Sequence, residues 1–363
     1  MLLVHAHPDD ETINNGATMA KYVAEGAQVT LVTCTRGEEG EVLVPELAHL
    51  AAADGDGLGP HREGELAAAM AVLGVTDHRF LGGPGRFRDT GMLYDESGAA
   101  TKPETIRPDT FWSADLLEAA DLLVSIIREI RPQVLVTYDE HGGYGHPDHV
   151  QAHRVATYAT SLAAAPSYRI DLGAPWAVQK VYWSASPRSV MAEALELAKK
   201  AGINFFDMES VEDLPFLIDD ELVTTKVTAR QHYDQKMAAL RAHATQITED
   251  GPFFALAGLD GSNAFADEYY RLVQGRAVRD AGDSLETDLF AGVQLDDDRL
   301  GDSDAVPPAQ HQRMAEVSGD DAGSEAASAA TTGAESRAAN GTAKVATEGA
   351  SVARNEGVAR AVG

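Results

Sequence analysis

The sequence holds one cysteine, Cys34, in 363 residues, so no intrachain disulfide can form. Positive charge is scarce: 29 Lys and Arg stand against 57 Asp and Glu, a formal net charge of −28. Such a chain repels phosphate backbones and anionic bilayers, which argues against nucleic acid and membrane surfaces as partners. No apolar run approaches the ~20 residues of a membrane-spanning helix, and no basic leader segment precedes Leu2, so the chain reads as cytoplasmic. There is no G-x-x-x-x-G-K-[ST] loop, no G-x-G-x-x-G after the first apolar strand, and no G-x-S-x-G elbow. Phosphate-cradling nucleotide sites and serine hydrolases are thereby disfavoured. No repeat of 20 to 50 residues recurs, which removes solenoids and propellers. From Ala291 to Gly363 there is no Phe, Tyr, Trp or Ile, and residues 296–363 carry 12 acidic and 6 basic side chains. That segment, 291–363, can bury little to offset its ordering entropy and reads as an acidic, Ala/Gly-rich disordered tail. Its net charge of −6 leaves −28 − (−6) = −22 on the body.

What remains, 1–290, alternates strand and helix patterns. Leu2 to Ala6 is a buried-type strand and Gly16 to Ala24 a helical pattern stopped by Gly26. Val29 to Cys34 reads as strand, Arg62 to Leu73 as helix closed by Gly74, and His78 to Leu81 as strand. Ala114 to Ile130 is strongly amphipathic, Gln133 to Tyr138 is rich in β-formers, and a helix starts near Asp148. This alternation predicts an α/β fold: a Rossmann-like, mainly parallel sheet with helices on both faces. Residues 1–165 form its core. Residues 166–290 read as a less regular completion, with a strand at Val178–Trp183 and helices at Val190–Ala201 and Thr228–His243.

In open parallel sheets ligands gather beyond the carboxyl ends of the strands. Two polar clusters fall there. His5-Ala6-His7-Pro8-Asp9-Asp10-Glu11 follows the first strand, and His141-Gly142-Gly143-Tyr144-Gly145-His146-Pro147-Asp148-His149 follows the strand ending at Tyr138. Five of the 12 histidines lie in these two segments, which the fold class would bring together. Imidazole and carboxylate suit Zn²⁺ and its neighbours, and His7, Asp10 and His149 would supply three ligands and leave a position open. Asp9, diverging from Asp10, would be free to take a proton, as metal-assisted hydrolysis requires. The blander reading makes Asp9 a helix cap and Asp10 and Glu11 partners of the helix dipole. His5 and His153 read as structural, and Cys34 as a small buried hydrophobe.

The paired motifs HAHPDDE (5–11) and GGYGHPDH (142–149) on an alternating α/β chain resemble the metal-dependent GlcNAc deacetylases of the LmbE/PIG-L family. More narrowly, VTCTRGEEGEV (32–42), HREGEL (61–66), GRFRDTGM (85–92), TYDEHGGYGHPDHV (137–150) and AHATQ (242–246) resemble the branch that deacetylates N-acetylglucosaminyl-inositol in mycothiol biosynthesis. The resemblance covers about residues 1 to 290 and implies an LmbE-like fold. It implies that His7, Asp10 and His149 bind one Zn²⁺, with Fe²⁺ also compatible, and that Asp9 is the general base for a water acidified by the metal. It implies that Tyr144 and a protonated His146 serve the carbonyl oxygen and the leaving amine, with Asp148 behind His146. The implied partner is a small sugar-inositol molecule. Arg62 and Asp89 match positions that contact that disaccharide, and Glu41 is a weaker candidate.

For Tyr144 the alternative is an exposed loop aromatic, for Arg62 a surface residue, and for Asp89 a turn former. Three other functions compete. A mycothiol S-conjugate amidase shares the mechanism, but its pattern places a Lys near the start of the first helix, where this chain reads Thr12-Ile13-Asn14-Asn15-Gly16. Two His and one carboxylate also form the triad of non-haem Fe(II) oxygenases, expected on antiparallel β folds. A non-catalytic metal-binding protein would leave Asp9 and Tyr144 without a role.

Overall fold

The elements run β1 (Leu2–His5), α1 (Asp10–Ala24), β2 (Thr30–Thr33), α2 (Leu58–Leu73), β3 (Asp77–Phe80), β4 (Leu93–Tyr94), β5 (Ala100–Thr101), α3 (Leu116–Ile130), β6 (Val134–Thr137), α4 (Pro147–Ala164), β7 (Lys180–Ala185), α5 (Arg188–Ala201), β8 (Thr225–Thr228), α6 (Tyr233–Ala242), α7 (Pro252–Ala255) and β9 (Asp267–Gln274). The computed structural model describes residues 1–95, 99–203, 210–214, 216–255 and 266–295; the tail read as disordered lies, from 296 on, outside the described residues.

Strands β1, β2 and β6 are buried at every position, as their apolar runs require when helices cover both faces. Alternation decides which side chain meets which helix layer. Leu2 and Val4 join α3 and α4 in one core layer, with Leu123, Val124, Ile127, Val155 and Ala159. Leu3 points the other way, into a second layer with Met19, Tyr22, Leu66, Met70 and Ala239 from α1, α2 and α6.

The seven-stranded sheet has the order β3-β2-β1-β6-β7-β9-β8. The first five strands are parallel, with Leu2 opposite Thr30 on one side and Leu135 on the other. The chain leaves β1 into α1 on one face and leaves β6, the neighbouring strand, into α4 on the other. That reversal opens a crevice at the carboxyl ends of β1 and β6, where both polar clusters emerge.

The antiparallel edge, β9 against β7 and β8 against β9, was not legible in the sequence. In β9 the inward positions are Glu268 and Tyr270, so a carboxylate interrupts the apolar alternation. Glu268 is tolerated because Lys236 Nζ, also buried, lies 2.7 Å away and the Ala17 and Thr18 N–H groups donate to it at 3.1 and 2.8 Å. The helix expected over Thr228–His243 begins only at Tyr233, because Thr228 ends β8. Glu286 ties the last described segment down, accepting from Lys180 Nζ and Tyr182 Oη, each at 2.6 Å, and from Thr225 Oγ1 at 3.0 Å. Packing continues to Val293, against the α1–α2–α6 layer. Among the described residues no helix is long and apolar enough to cross a membrane.

Candidate metal centre and active site

Three ligand-type atoms converge in the crevice. His7 Nδ1 and His149 Nε2 are 3.2 Å apart, and each lies 3.3 Å from Asp10 Oδ2. Bonds of ~2.0–2.1 Å at tetrahedral angles place the ligands of one Zn²⁺ about 3.3 Å apart, so these residues fit such an ion. The far nitrogens fix the tautomers. His149 Nδ1 faces the Gly142 carbonyl at 3.2 Å, and His7 Nε2 faces Asp148 Oδ2 at 3.4 Å and Asp89 Oδ1 at 3.5 Å. With the outer nitrogens partnered in this way, each ring can keep its outward proton while the inner nitrogen, once it gives up its own proton, offers a lone pair to the shared point. Two wider groupings of ligand atoms within 4.8 Å surround the triangle, His7–His146–His149 and His7–Asp89–Asp148.

Local sequence builds this geometry. The Asp10 carboxylate folds back to accept the His7 N–H at 2.9 Å and takes a second bond, at 2.7 Å, from the Tyr138 hydroxyl at the end of β6. Tyr138 also stacks on His149 with ring centroids 4.3 Å apart. Burial alone would raise the Asp10 pKa, but His149 and His7 outweigh it and hold the carboxylate well below its usual range. For His7 burial pulls down, and Asp89, Asp10 and Asp148 together push the imidazole well above its ordinary value.

Asp9 adopts φ = 115°, a left-handed conformation that costs a non-glycine residue on the order of 1–3 kcal/mol. Surrounding contacts hold it there. Its N–H donates to Glu11 Oε2 at 2.9 Å, and its carbonyl accepts the Thr12 and Ile13 N–H groups, both at 2.9 Å, to start α1. Its side chain makes no capping bond, so the cap reading fails. The carboxylate instead receives Arg62 Nη2 at 3.1 Å. Burial pushes its pKa up to about 6; Arg62 and His243 pull downward while Asp10 and Glu11 add to the rise.

Arg62 is not a surface residue. Besides Asp9 it donates to the Gly37 carbonyl at 2.9 Å and to the Pro8 carbonyl. Gly37, at φ = 67°, is needed there: a Cβ would lie 2.0 Å from Arg62 Nη1. Asp89 is likewise buried, 3.5 Å from His7, and its carboxylate accepts the Gly91 N–H at 2.8 Å and the Glu39 N–H at 3.2 Å. Burial would raise its pKa, but His7 holds it well below the usual range. Glu41 is exposed, and its backbone carbonyl accepts Gln246 Nε2 at 3.1 Å.

His146 caps α4, its Nδ1 accepting the Asp148 N–H at 3.0 Å. The expectation of an Asp148 carboxylate behind a protonated His146 is corrected here. The Asp148 side chain turns to the Thr90 N–H at 2.8 Å, to the Thr90 hydroxyl and to His7. Burial, then repulsion from His7 and His149, pushes His146 well below its ordinary pKa, so the ring is neutral with its proton on Nε2. The Tyr144 ring stands 5.0 Å from that of His149, edge on, and burial holds its hydroxyl protonated. Gly145, at φ = 100°, lets Tyr144 hang beside the β5 hairpin strand: a Cβ would lie 2.6 Å from the Ala100 carbonyl oxygen.

His5 pairs with Asn15 at 2.8 Å, His153 with the Tyr138 carbonyl at 3.0 Å, and Cys34 is buried; none faces the triangle as a ligand. Sequence reasoning missed Tyr138, Thr90 and His243. His243, fully buried, contacts Glu11 Oε1 at 3.0 Å and thereby supports Asp9. Their signals were present but mute: Tyr138 ends the strand pattern three residues before His141 opens the second cluster, and His243 lies in the AHATQ segment.

A ligand triangle and a neighbouring carboxylate at the switch point of a parallel α/β sheet define a class of metal-site α/β proteins. Residues 2–160 match the PIG-L family, described as GlcNAc-PI de-N-acetylase. The chain is 64% identical over 296 residues, 81% of this chain and 97% of the relative, to 1D-myo-inositol 2-acetamido-2-deoxy-alpha-D-glucopyranoside deacetylase of Kribbella flavida. It is 60% identical, over 81% of this chain and 98% of the relative, to the protein of that name from a Nocardioides strain. This protein belongs to the PIG-L/LmbE family. Among solved structures, 4-carboxy-2-hydroxymuconate hydratase of Pseudomonas putida shares the fold at 19% identity and a TM-score of 0.50, over 77% of this chain and 98% of that one. One fold thus serves different chemistries, and function rests on the site.

Proposed function

We propose that this protein removes the N-acetyl group of 1D-myo-inositol 2-acetamido-2-deoxy-alpha-D-glucopyranoside, giving glucosaminyl-inositol and acetate in mycothiol biosynthesis. The observation that carries the reading is the identity of 64% across 97% of a relative bearing that name, with His7, Asp9, Asp10 and His149 assembled in one crevice.

His7 Nδ1, Asp10 Oδ2 and His149 Nε2 would hold the ion, Zn²⁺ by preference and Fe²⁺ as the other candidate. When bound, such an ion supplies a Lewis acid that acidifies water and polarises an amide oxygen. The chain's own groups do the rest. Asp9, buried and raised toward neutrality, accepts the proton of the attacking water, and Arg62 fixes which way its carboxylate points. Tyr144 Oη and His146 Nε2 are both protonated donors at the crevice, suited to a developing oxyanion. As the acyl C–N bond breaks, the proton that Asp9 took from the water passes to the departing amine, while His146 keeps its Nε2 proton and acts as a hydrogen-bond donor. Asp89 and Asp148 orient His7 from behind, and Glu41 is left as the exposed candidate for a substrate hydroxyl.

The test is release of free amine from the acetylated disaccharide by protein stripped with a chelator and then reloaded. Turnover restored by Zn²⁺ or Fe²⁺, and absent in His149→Ala reloaded alike, is the expected result. Turnover unaffected by stripping overturns the metal assignment.

A further inference from the structure

Tyr144 is flanked by Gly142, Gly143 and Gly145, all at positive φ, 68°, 64° and 100°. Glycine has the widest backbone freedom of any residue, so such a loop does not by itself place its one aromatic side chain. Tyr144 nevertheless stands at a defined point, edge on to His149 and on the wall of the crevice. Two anchors hold it there. On one side is Asp139, next to Tyr138 at the end of β6. Its Oδ1 accepts the His141 N–H at 3.0 Å and the Gly143 N–H at 2.9 Å, and its carbonyl accepts the Gly142 N–H at 3.1 Å. The residue immediately before Tyr144 is thereby tied to the end of a sheet strand. On the other side the Ala100 N–H, in β5, donates to the Tyr144 carbonyl at 3.0 Å. Strands β4 and β5 pair only Leu93 with Thr101 and Tyr94 with Ala100, a ribbon too short to be stable alone, so loop and hairpin hold each other.

We infer that Asp139 and the β4–β5 hairpin position the Tyr144 donor: Asp139 Oδ1 and the Ala100 N–H clamp the backbone on either side of Tyr144 and so aim its hydroxyl at the reacting carbonyl. The inference rests on the deacetylase reading, in which Tyr144 donates to the developing oxyanion, and adds the groups on which that donor depends. Asp139 is a positioning residue. It acts as a hydrogen-bond acceptor for the loop, not as an acid or base, and an amide oxygen in its place offers the same lone pairs. One further route runs through the same segment: the Gly142 carbonyl faces His149 Nδ1 at 3.2 Å, so a collapse of the loop could also reach the metal ligand. The experiment separates the two.

It measures kcat and KM for the acetylated disaccharide, and bound metal by elemental analysis, in the metal-loaded full-length protein. The variants are Tyr144→Phe, Asp139→Ala, Asp139→Asn and Ala100→Pro, with Asp139→Ala and Ala100→Pro each also combined with Tyr144→Phe. Tyr144→Phe is expected to lower kcat by ~10²–10³-fold, the effect of losing one oxyanion donor. Asp139→Ala is expected to lower kcat by ~10–100-fold, the scale of a misplaced group, with KM within about twofold and metal content unchanged. Asp139→Asn should return kcat to within about threefold of wild type, because its side-chain oxygen accepts the same two N–H groups. Ala100→Pro deletes the opposite donor and should lower kcat by ~10-fold. Added to Tyr144→Phe, neither Asp139→Ala nor Ala100→Pro should cost more than about twofold further, since both act through the hydroxyl already removed. Equal losses with and without that hydroxyl overturn the inference. So does a rise in KM alone, which would make Asp139 a substrate contact, and so does loss of metal, which would route its effect through Gly142 and His149. Failure of Asp139→Asn to restore kcat also overturns it, by making the charge and not the acceptor essential. Full activity of Asp139→Ala beside an impaired Tyr144→Phe overturns the inference and leaves the donor role standing. Full activity of Tyr144→Phe overturns both, and no turnover by wild type overturns the deacetylase reading with them.

Discussion

Arg62 Nη2 lies 3.1 Å from the Asp9 carboxylate, and the pair joins the N-terminal part of α2 to the turn that opens α1. Arg62 is 3% exposed, so its charge is spent on Asp9 and on two carbonyls rather than on solvent. The side chain that the family resemblance offered as a substrate contact is, in this fold, the partner of the proposed base.

Arg62 lowers the Asp9 pKa against the upward push of burial, and the balance stands at about 6. A base works only when deprotonated, so kcat/KM should fall as pH drops through that value, and a bound cation should move the acid limb lower still. Arg62→Met removes one stabilising charge, so its limb should shift to higher pH. Its plateau rate should fall by ~10–100-fold, as for other groups that orient a reacting side chain. Arg62→Lys should not restore it, since a point charge cannot reach Asp9, Pro8 and Gly37 together. A pH–rate profile for the three proteins checks this.

Asp9→Ala should retain metal and lose ~10²–10⁴-fold in turnover, the usual worth of a positioned base. His149→Ala should lose both. Metal content by elemental analysis, read beside kcat, separates the two roles.

Asp89 and Asp148 face the same nitrogen of His7, at 3.5 and 3.4 Å. Asp148→Asn should weaken metal affinity by ~10–100-fold with little change in the pH dependence of the loaded enzyme. Competition with a chromogenic chelator measures the loss.

His243 and Glu11 form a fully buried pair at 3.0 Å beneath Asp9. Burial would raise the Glu11 pKa and His243 outweighs it, so Glu11 is anionic. His243→Phe would leave that charge uncompensated and should destabilise the fold by ~3–5 kcal/mol, measured by denaturant unfolding. Glu11→Gln with His243→Phe should recover much of it, because the double change removes the charge as well as its partner.

The central parallel strands were legible because β1, β2 and β6 each carry two or three consecutive apolar residues, and the two His-rich clusters because each lies at or just beyond the end of such a strand. The antiparallel edge was hidden by Glu268, an inward-facing carboxylate whose partner Lys236 comes from a helix 32 residues away in the chain. Long-range pairing of the same kind concealed His243, whose contact with Glu11 spans 232 residues. The neutral state of His146 depends on burial and on two neighbouring imidazoles, neither of which a motif displays.

The most direct measurement is a pair of kcat/KM values for the metal-loaded protein, one for acetate release from N-acetylglucosaminyl-inositol and one for cleavage of a bulky mycothiol S-conjugate. The account predicts that the acetylated disaccharide is the better substrate. Faster cleavage of the conjugate would keep the metal centre and Asp9 but contradict the assignment to biosynthetic deacetylation.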